Sequence, residues 1–281
     1  MTATSIRMGE VRIDPILDGV MSISRTKIYP DATDADWAPH LDHLNGEGMI
    51  EAPYGGFLVR GPEGRTVMVD IGGGPTFAVP DGMGRLHSSV RLLDNLAALG
   101  VVAEDVTDVI PTHLHHDHAG WSSVDERATF PNAAYRCHEA DWDYYVKGDA
   151  KKKVQDVMRP VESHARLWAD SFELFPWLRL EHVPGHTPGN AMVVVESDGR
   201  RLAIIGDIAH SPLDFVHPEW RCGVDGDPRL AAQQRARTFD DLADGQTLVV
   251  GPHFPEQAAG RLSREDGRFR WTLADDDTPE G

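Results

Sequence analysis

Apolar runs of two periods divide the chain into strands and helices, arranged in two similar halves. Residues 11–17 alternate apolar and polar positions, the period of a half-buried strand. Two further apolar runs, 55–59 and 66–70, flank Gly61-Pro62-Glu63-Gly64, which predicts a hairpin. Leu86, Val90, Leu93 and Leu96 recur at helical spacing, with Gly100 as the stop. Residues 106–111 read as a short buried strand and 134–138 as another, while 139–169 have helical tendency broken by Gly148 and Pro160. Beyond Leu178 strands return at 180–183, 191–196, 202–205 and 247–250. Asp227-Pro228 has the form of an N-cap and first-turn proline, predicting a helix to about Ala243. Residues 269–272 predict a last edge strand, and the acidic stretch 275–281 is expected to fray. Residues 18–50 are turn-rich, with Trp37, His40 and His43, and read as a long loop. This is an α/β pattern with neither a short repeat nor a linker.

The candidate chemistry sits where apolar runs end. Thr112-His113-Leu114-His115-His116-Asp117-His118 follows the strand at 106–111. On an extended backbone alternate side chains point the same way, so His113 and His115 are expected to share one ion. Asp117 and His118 fall just past the strand, where a turn can aim them at a neighbouring point. Imidazole and carboxylate suit zinc or a similar first-row ion. Three more candidates, His186, Asp207 and His253, each lie just beyond a predicted strand of the second half. His116 points away from its neighbours and is left out, and His40, His43, His87, His138, His164 and His182 belong to no motif.

Charge narrows the partners. The chain has 281 residues, with 27 Lys and Arg against 45 Asp and Glu, a net charge of −18. That balance argues against nucleic acid, whose phosphates need clustered Lys and Arg; the one basic run, Lys151-Lys152-Lys153, is short. Cys137 and Cys222 are too few for a disulfide framework and lack zinc-finger spacing. No run is apolar enough for a membrane span or a signal peptide, so a cytoplasmic setting is expected. The glycines at 72–74 lack dinucleotide-binding spacing.

The H-x-H-x-D-H run of residues 113–118, Gly185-His186-Thr187-Pro188-Gly189, Gly206-Asp207 and Gly251-Pro252-His253 together resemble the motifs of the metallo-β-lactamase superfamily. The resemblance covers roughly residues 11–271, and it is similar in particular to the acyl-homoserine lactonase and methyl parathion hydrolase-like branch. It implies a four-layered αββα sandwich formed as one domain over 1–281, with 18–50 covering the active site. It implies that His113, His115 and His186 hold a first ion, that Asp117, His118 and His253 hold a second, and that Asp207 bridges them. Asp70 would orient a ligand from behind. Two divalent ions per chain follow, zinc first, with manganese, cobalt or iron(II) also compatible.

The implied reaction is hydrolysis of an ester or lactone by a hydroxide shared between the ions, with Asp117, Asp207 and His210 as catalytic residues. His210 stands where acyl-homoserine lactonases carry a tyrosine. Phe215, His217 and Trp220 would line the pocket. The expected substrate is small, neutral and partly apolar, and relatives of this kind often dimerise. Phosphotriester hydrolysis is the alternative, and a mono-iron oxidoreductase resembling persulfide dioxygenases is a more distant one.

Overall fold

The computed structural model describes residues 4–148 and 152–274, so the acidic stretch 275–281 lies outside the described residues. Among these, seven strands make a first sheet: β1 (Ile6–Met8), β2 (Val11–Ser24), β3 (Met49–Arg60), β4 (Thr66–Val69), β5 (Gly84–Ser88), β6 (Asp108–Ile110) and β7 (Ala134–Tyr135). They run in the order β1-β2-β3-β4-β6-β7, with β5 also paired to β2. Seven more make a second sheet in chain order: β8 (Phe172–Phe175), β9 (Leu178–His182), β10 (Ala191–Ser197), β11 (Arg200–Ile204), β12 (Leu248–Val250), β13 (Gly260–Glu265) and β14 (Arg268–Leu273).

Strand parity builds the layers. Phe57, Val59, Val67 and Val69 face Val193, Val195, Leu202, Ile204 and Val250 in an apolar interior between the sheets. The alternate residues Leu58 and Met68 face outward, where Leu92 and Leu96 of helix α1 (Leu92–Ala98) and Val154 and Met158 of α2 (Lys152–Met158) cover them. On the far side Met192, Val194, Ala203 and Val249 meet Phe239 and Leu242 of α3 (Pro228–Leu242). The result is the αββα sandwich. Asp227 caps α3 by accepting from Leu230 N at 2.9 Å, as its Asp-Pro start predicts.

Two elements differ from the sequence reading. The strand at 11–17 runs on to Ser24 past a register shift between Leu17 and Gly19, so the predicted loop begins inside a strand. The remainder is not structureless: Arg25–Ile28, Asp34–Trp37 and Ala38–His43 form short helical turns. The helix predicted from Leu86 begins only at Leu92, because Gly84–Ser88 pairs with β2 instead. A Cβ on Gly84 would lie 1.9 Å from the Ser22 carbonyl oxygen, so glycine is what allows this approach. Val90 then takes φ +62, which no helix tolerates.

Strand ends set up the site. β4 and β6 are parallel, with Val69 opposite Ile110, so Asp70 and Thr112 leave the first sheet together. β11 and β12 are parallel, with Ile204 opposite Val250, so Asp207 and His253 leave the second sheet together, each three residues on. Ala191 N donates to Thr112 O at 2.8 Å and joins the two edges.

Candidate metal centre

Seven side chains converge at this shared edge. His113, His115, His186 and Asp207 form one group and Asp117, His118 and His253 a second; within each, the donor atoms lie within 4.8 Å of one another. In the first group His115 Nδ1 is 3.0 Å from both His113 Nε2 and His186 Nε2. In the second, His118 Nε2 is 3.2 Å from His253 Nε2, and Asp117 Oδ2 is 3.6 Å from His253 Nε2. Asp207 faces both groups. Its Oδ2 is 3.2 Å from His186 Nε2 and 3.8 Å from His113 Nε2, and its Oδ1 is 3.3 Å from His118 Nε2 and 3.4 Å from His253 Nε2. Gly206 makes this possible: it turns at φ +51 two residues past the end of β11, where an added Cβ would lie 2.8 Å from Thr112.

The extended pair expected at 113 and 115 is not on a strand. β6 ends at Ile110, the chain bends at Thr112 and His113, and a helical turn opens at His116. Side-chain and backbone bonds, rather than strand alternation, bring the two imidazoles together. Asp70, at φ +59, accepts from Thr112 N at 2.7 Å and from the Thr112 hydroxyl at 3.0 Å. Asp141 accepts from Leu114 N at 2.9 Å, between the two histidines, and also from Thr187 Oγ1 at 2.9 Å and Gly189 N at 2.6 Å. It therefore ties the loop of His113 and His115 to the loop of His186.

Every imidazole has an acceptor on its outer nitrogen. Asp70 Oδ2 takes His118 Nδ1 at 3.0 Å, Pro53 O takes His253 Nδ1 at 2.8 Å and Asp225 Oδ1 takes His186 Nδ1 at 3.2 Å. Tyr145 Oη takes His115 Nε2 at 3.0 Å, and Thr112 Oγ1 lies 3.2 Å from His113 Nδ1. Where the outer nitrogen carries the one N–H, as at neutral His113 and His115, the inner nitrogens bring lone pairs together at about 3 Å. Asp207 Oδ1 is buried among them with no hydrogen-bond partner. Crowded lone pairs beside an unpartnered carboxylate oxygen are stabilised by cations, and the nitrogen and oxygen donors suit a pair of divalent first-row ions.

The charge states of His113 and His115 agree with that fit. Burial holds His113 well below the ordinary imidazole range and, with His186 beside it, lowers His115 to about 3. Both are neutral and ready to ligate. Burial also disfavours charge on His118, but Asp207, Asp70 and Asp117 outweigh it and raise its pKa. Burial pushes Asp207 up, and the imidazoles of His118, His253 and His210 more than reverse this.

His210 borders the site. Its Nε2 is 3.2 Å from Asp207 Oδ2 without the alignment of a hydrogen bond, and its Nδ1 is 3.5 Å from Cys222 Sγ. Asp214 Oδ2 fixes its backbone, accepting from His210 N at 2.7 Å and from Tyr29 Oη at 3.0 Å. Tyr29, Trp37 and Trp220 pack together here, so the 25–43 turns seat against the 210–222 segment. His217 stacks on Trp220 at 4.2 Å and meets His40 Nε2 at 2.8 Å. Phe215 does not line a pocket: it is fully buried between Phe239, Phe254 and Trp271, because the helical turn Leu213–Val216 points it at the second sheet. His116 lies outside both groups, beside Thr76 and Phe77. Asp141, Asp225 and the Tyr145 hydroxyl escaped the sequence reading. The one available signal was an acid and a tyrosine four residues apart at 141 and 145, on one helical face.

The family model for the metallo-β-lactamase superfamily matches residues 56–253. An N-acyl homoserine lactonase of a Bacillus species is 24% identical over 225 residues, covering 75% of this chain and 85% of its own. The N-acyl homoserine lactonase AttM of Rhizobium radiobacter is 25% identical over 236 residues, covering 73% and 83%. Among solved structures, the dizinc quorum-quenching lactonase AidC, in complex with a product, superposes with a TM-score of 0.85 at 22% identity, over 98% of both chains. The hydrolase AbOPH of the β-lactamase superfamily superposes with a TM-score of 0.86 at 23% identity, also over 98% of both. With that match and this fold, the chain belongs to the metallo-β-lactamase superfamily, as a metal-dependent hydrolase.

Proposed function

We propose that the chain hydrolyses lactones, with simple esters as related substrates, at a site holding two zinc ions. The observation that carries this is the two-sided placement of Asp207, one oxygen towards each group of imidazoles. His113, His115 and His186 would hold the first ion, Asp117, His118 and His253 the second, and Asp207 both. Bound there, the pair would supply hydroxide at neutral pH and polarise the carbonyl oxygen.

The chain's own groups do the rest. Asp207 fixes the spacing of the two groups. Of the two acids in the site, Asp117 is the more open, with its side chain 18% exposed against 5% for Asp207, so it can pass a proton to the leaving alkoxide. His210 turns Nδ1 towards Cys222 and presents Nε2 to the site, where it can donate to the substrate's carbonyl oxygen. In the overall step the water oxygen joins the acyl carbon, the ring C–O bond breaks, and the alkoxide leaves with a proton as a hydroxy acid. The 25–43 turns, seated beside His210 through Tyr29 and Trp37, form one wall for a small, partly apolar acyl group. The curated relatives named above support lactones as the substrate class.

The histidine at 210, in place of the lactonases' tyrosine, favours a second reading, phosphotriester hydrolysis. A panel of lactones, esters and phosphotriesters, assayed on protein of measured metal content, tests both. The expected result is two zinc ions per chain, with lactone turnover lost to a chelator and restored by zinc. Faster phosphotriester turnover would favour the second reading. One iron per chain with oxygen uptake would overturn both.

A further inference from the structure

Arg235 sits within α3 and is 3% exposed. A guanidinium so deeply buried costs several kcal/mol unless its donors are satisfied, and here they are used in two directions. Its Nε donates to the Ile208 carbonyl at 2.8 Å, and its Nη2 donates to Asp225 Oδ2 at 3.1 Å. The other Asp225 oxygen accepts from His186 Nδ1 at 3.2 Å. Ile208 follows Asp207 on one tight turn, Gly206–Ile208. One side chain thus reaches the His186 ring through a carboxylate and the Asp207 turn through its backbone.

His186, Asp207, Ile208 and Arg235 border one small space of about 10 Å³. The polar bonds of Arg235 and Asp225 tie the His186 ring and the Asp207 turn to the same side chain. The planar fork of arginine serves both directions at once, which the single ammonium of lysine does not.

We propose that Arg235, acting through Asp225 and the Ile208 carbonyl, is a positioning residue that sets the aim of His186 and Asp207 at the first ion. This rests on the two-ion reading above. A carboxylate behind a ligating imidazole fixes its tautomer and raises its basicity, and losing such a partner typically costs 10- to 100-fold in metal affinity.

The test is zinc titration of the full chain against a chromophoric chelator, in wild type, Asp225→Asn and Arg235→Lys, with the visible spectrum of the cobalt-loaded proteins and the Tm of the metal-free proteins. The expected result is two zinc ions in wild type, and in each variant one of the two weakened by about 10- to 100-fold with a shifted cobalt spectrum. Unchanged affinity and spectrum with a lowered Tm would overturn the proposal, leaving a plain ion pair that anchors α3. Should Arg235→Lys fail to fold, the near-isosteric Asp225→Asn still decides between these outcomes. Wild-type protein that binds fewer than two ions would reject the metal-site reading itself, a result visible before any variant is made.

Discussion

Tyr145 Oη lies 3.0 Å from His115 Nε2, behind the one imidazole in the cluster that presents Nδ1 inward. Tyr145 stands on a wide helical turn, Trp142–Lys147, whose π-type hydrogen bonding rotates the side chain out of ordinary helical register. The phenol oxygen accepts the Nε2 proton and so keeps the Nδ1 lone pair facing His113 and His186. Tyr145→Phe keeps the ring and its packing but leaves that proton without an acceptor. Zinc affinity at one of the two positions is expected to fall about 10-fold, with a loss of about 1 kcal/mol in metal-free stability. Chelator competition and urea unfolding measure the two effects separately.

Asp207 turns one oxygen towards each group, so in the proposed two-ion site its removal takes away the bridge rather than one ligand among several. Asp207→Ala is expected to bring turnover to background and to lower metal occupancy below two per chain. It also leaves His118, His253, His186 and His113 without the carboxylate they surround. Metal analysis beside an activity assay checks this, and full activity in the variant would contradict the bridging placement.

The converging donors are legible in sequence because they follow apolar runs and fall in motifs that resemble those of the superfamily. His113, Asp207 and His253 each come three residues after a strand, and a strand's end can be read without knowing its partner. What could not be read was the support. Asp141 serves Leu114, Thr187 and Gly189, residues 27 to 48 positions away, and nothing local in Glu139-Ala140-Asp141 marks the carboxylate as buried. Asp18 shows the same limit. The sequence predicts a loop from residue 18, yet Asp18 lies inside β2 and accepts from Gly73 N, Gly74 N, Arg91 N, Leu92 N and Trp121 Nε1. The helix predicted from Leu86 failed for a related reason. Leu86 pairs opposite Met21, and that tertiary pairing overrides the local helical spacing of four, three and three residues.

Asp141→Ala tests how much of the preformed site rests on this support. Three buried donors lose their acceptor, and each unsatisfied donor costs about 1–3 kcal/mol. A loss of about 3–5 kcal/mol is expected in urea unfolding, large enough to mark a broken network rather than a surface change. A loss under about 1 kcal/mol would mean that the two histidine loops are held by other contacts.

His210 separates chemistry from metal binding. It borders Asp207 but belongs to neither group of converging donors. His210→Gln retains a polar side chain of similar reach while removing the imidazole, so zinc content is expected to stay at two per chain. If Nε2 donates to the carbonyl oxygen or the leaving alkoxide, kcat falls by about 10²-fold or more. Unchanged kcat with raised KM would instead make it a wall of the pocket.

Away from the metal centre, Asp14 gives the metal-free fold an acid-sensitive contribution. Burial pushes its carboxyl up, but the Ser5 hydroxyl, Arg60 and Arg12 outweigh this and hold it below the ordinary range. Arg60 Nη2 approaches Oδ2 at 2.6 Å and Arg12 Nη2 approaches Oδ1 at 2.8 Å. Because the folded pKa is depressed, the contribution is present above the unfolded value of about 3.9 and is lost as pH falls through the folded value. The two arginines are 37% and 31% exposed, so solvent screens the pairs and the contribution is about 1 kcal/mol. With metal chelated, the Tm gap between wild type and Asp14→Asn is expected to hold steady from pH 7 to 5. Below about pH 4 it should narrow as the wild-type carboxylate gains its proton. A gap that widens on acidification would reverse the sign and place the depressed pKa elsewhere.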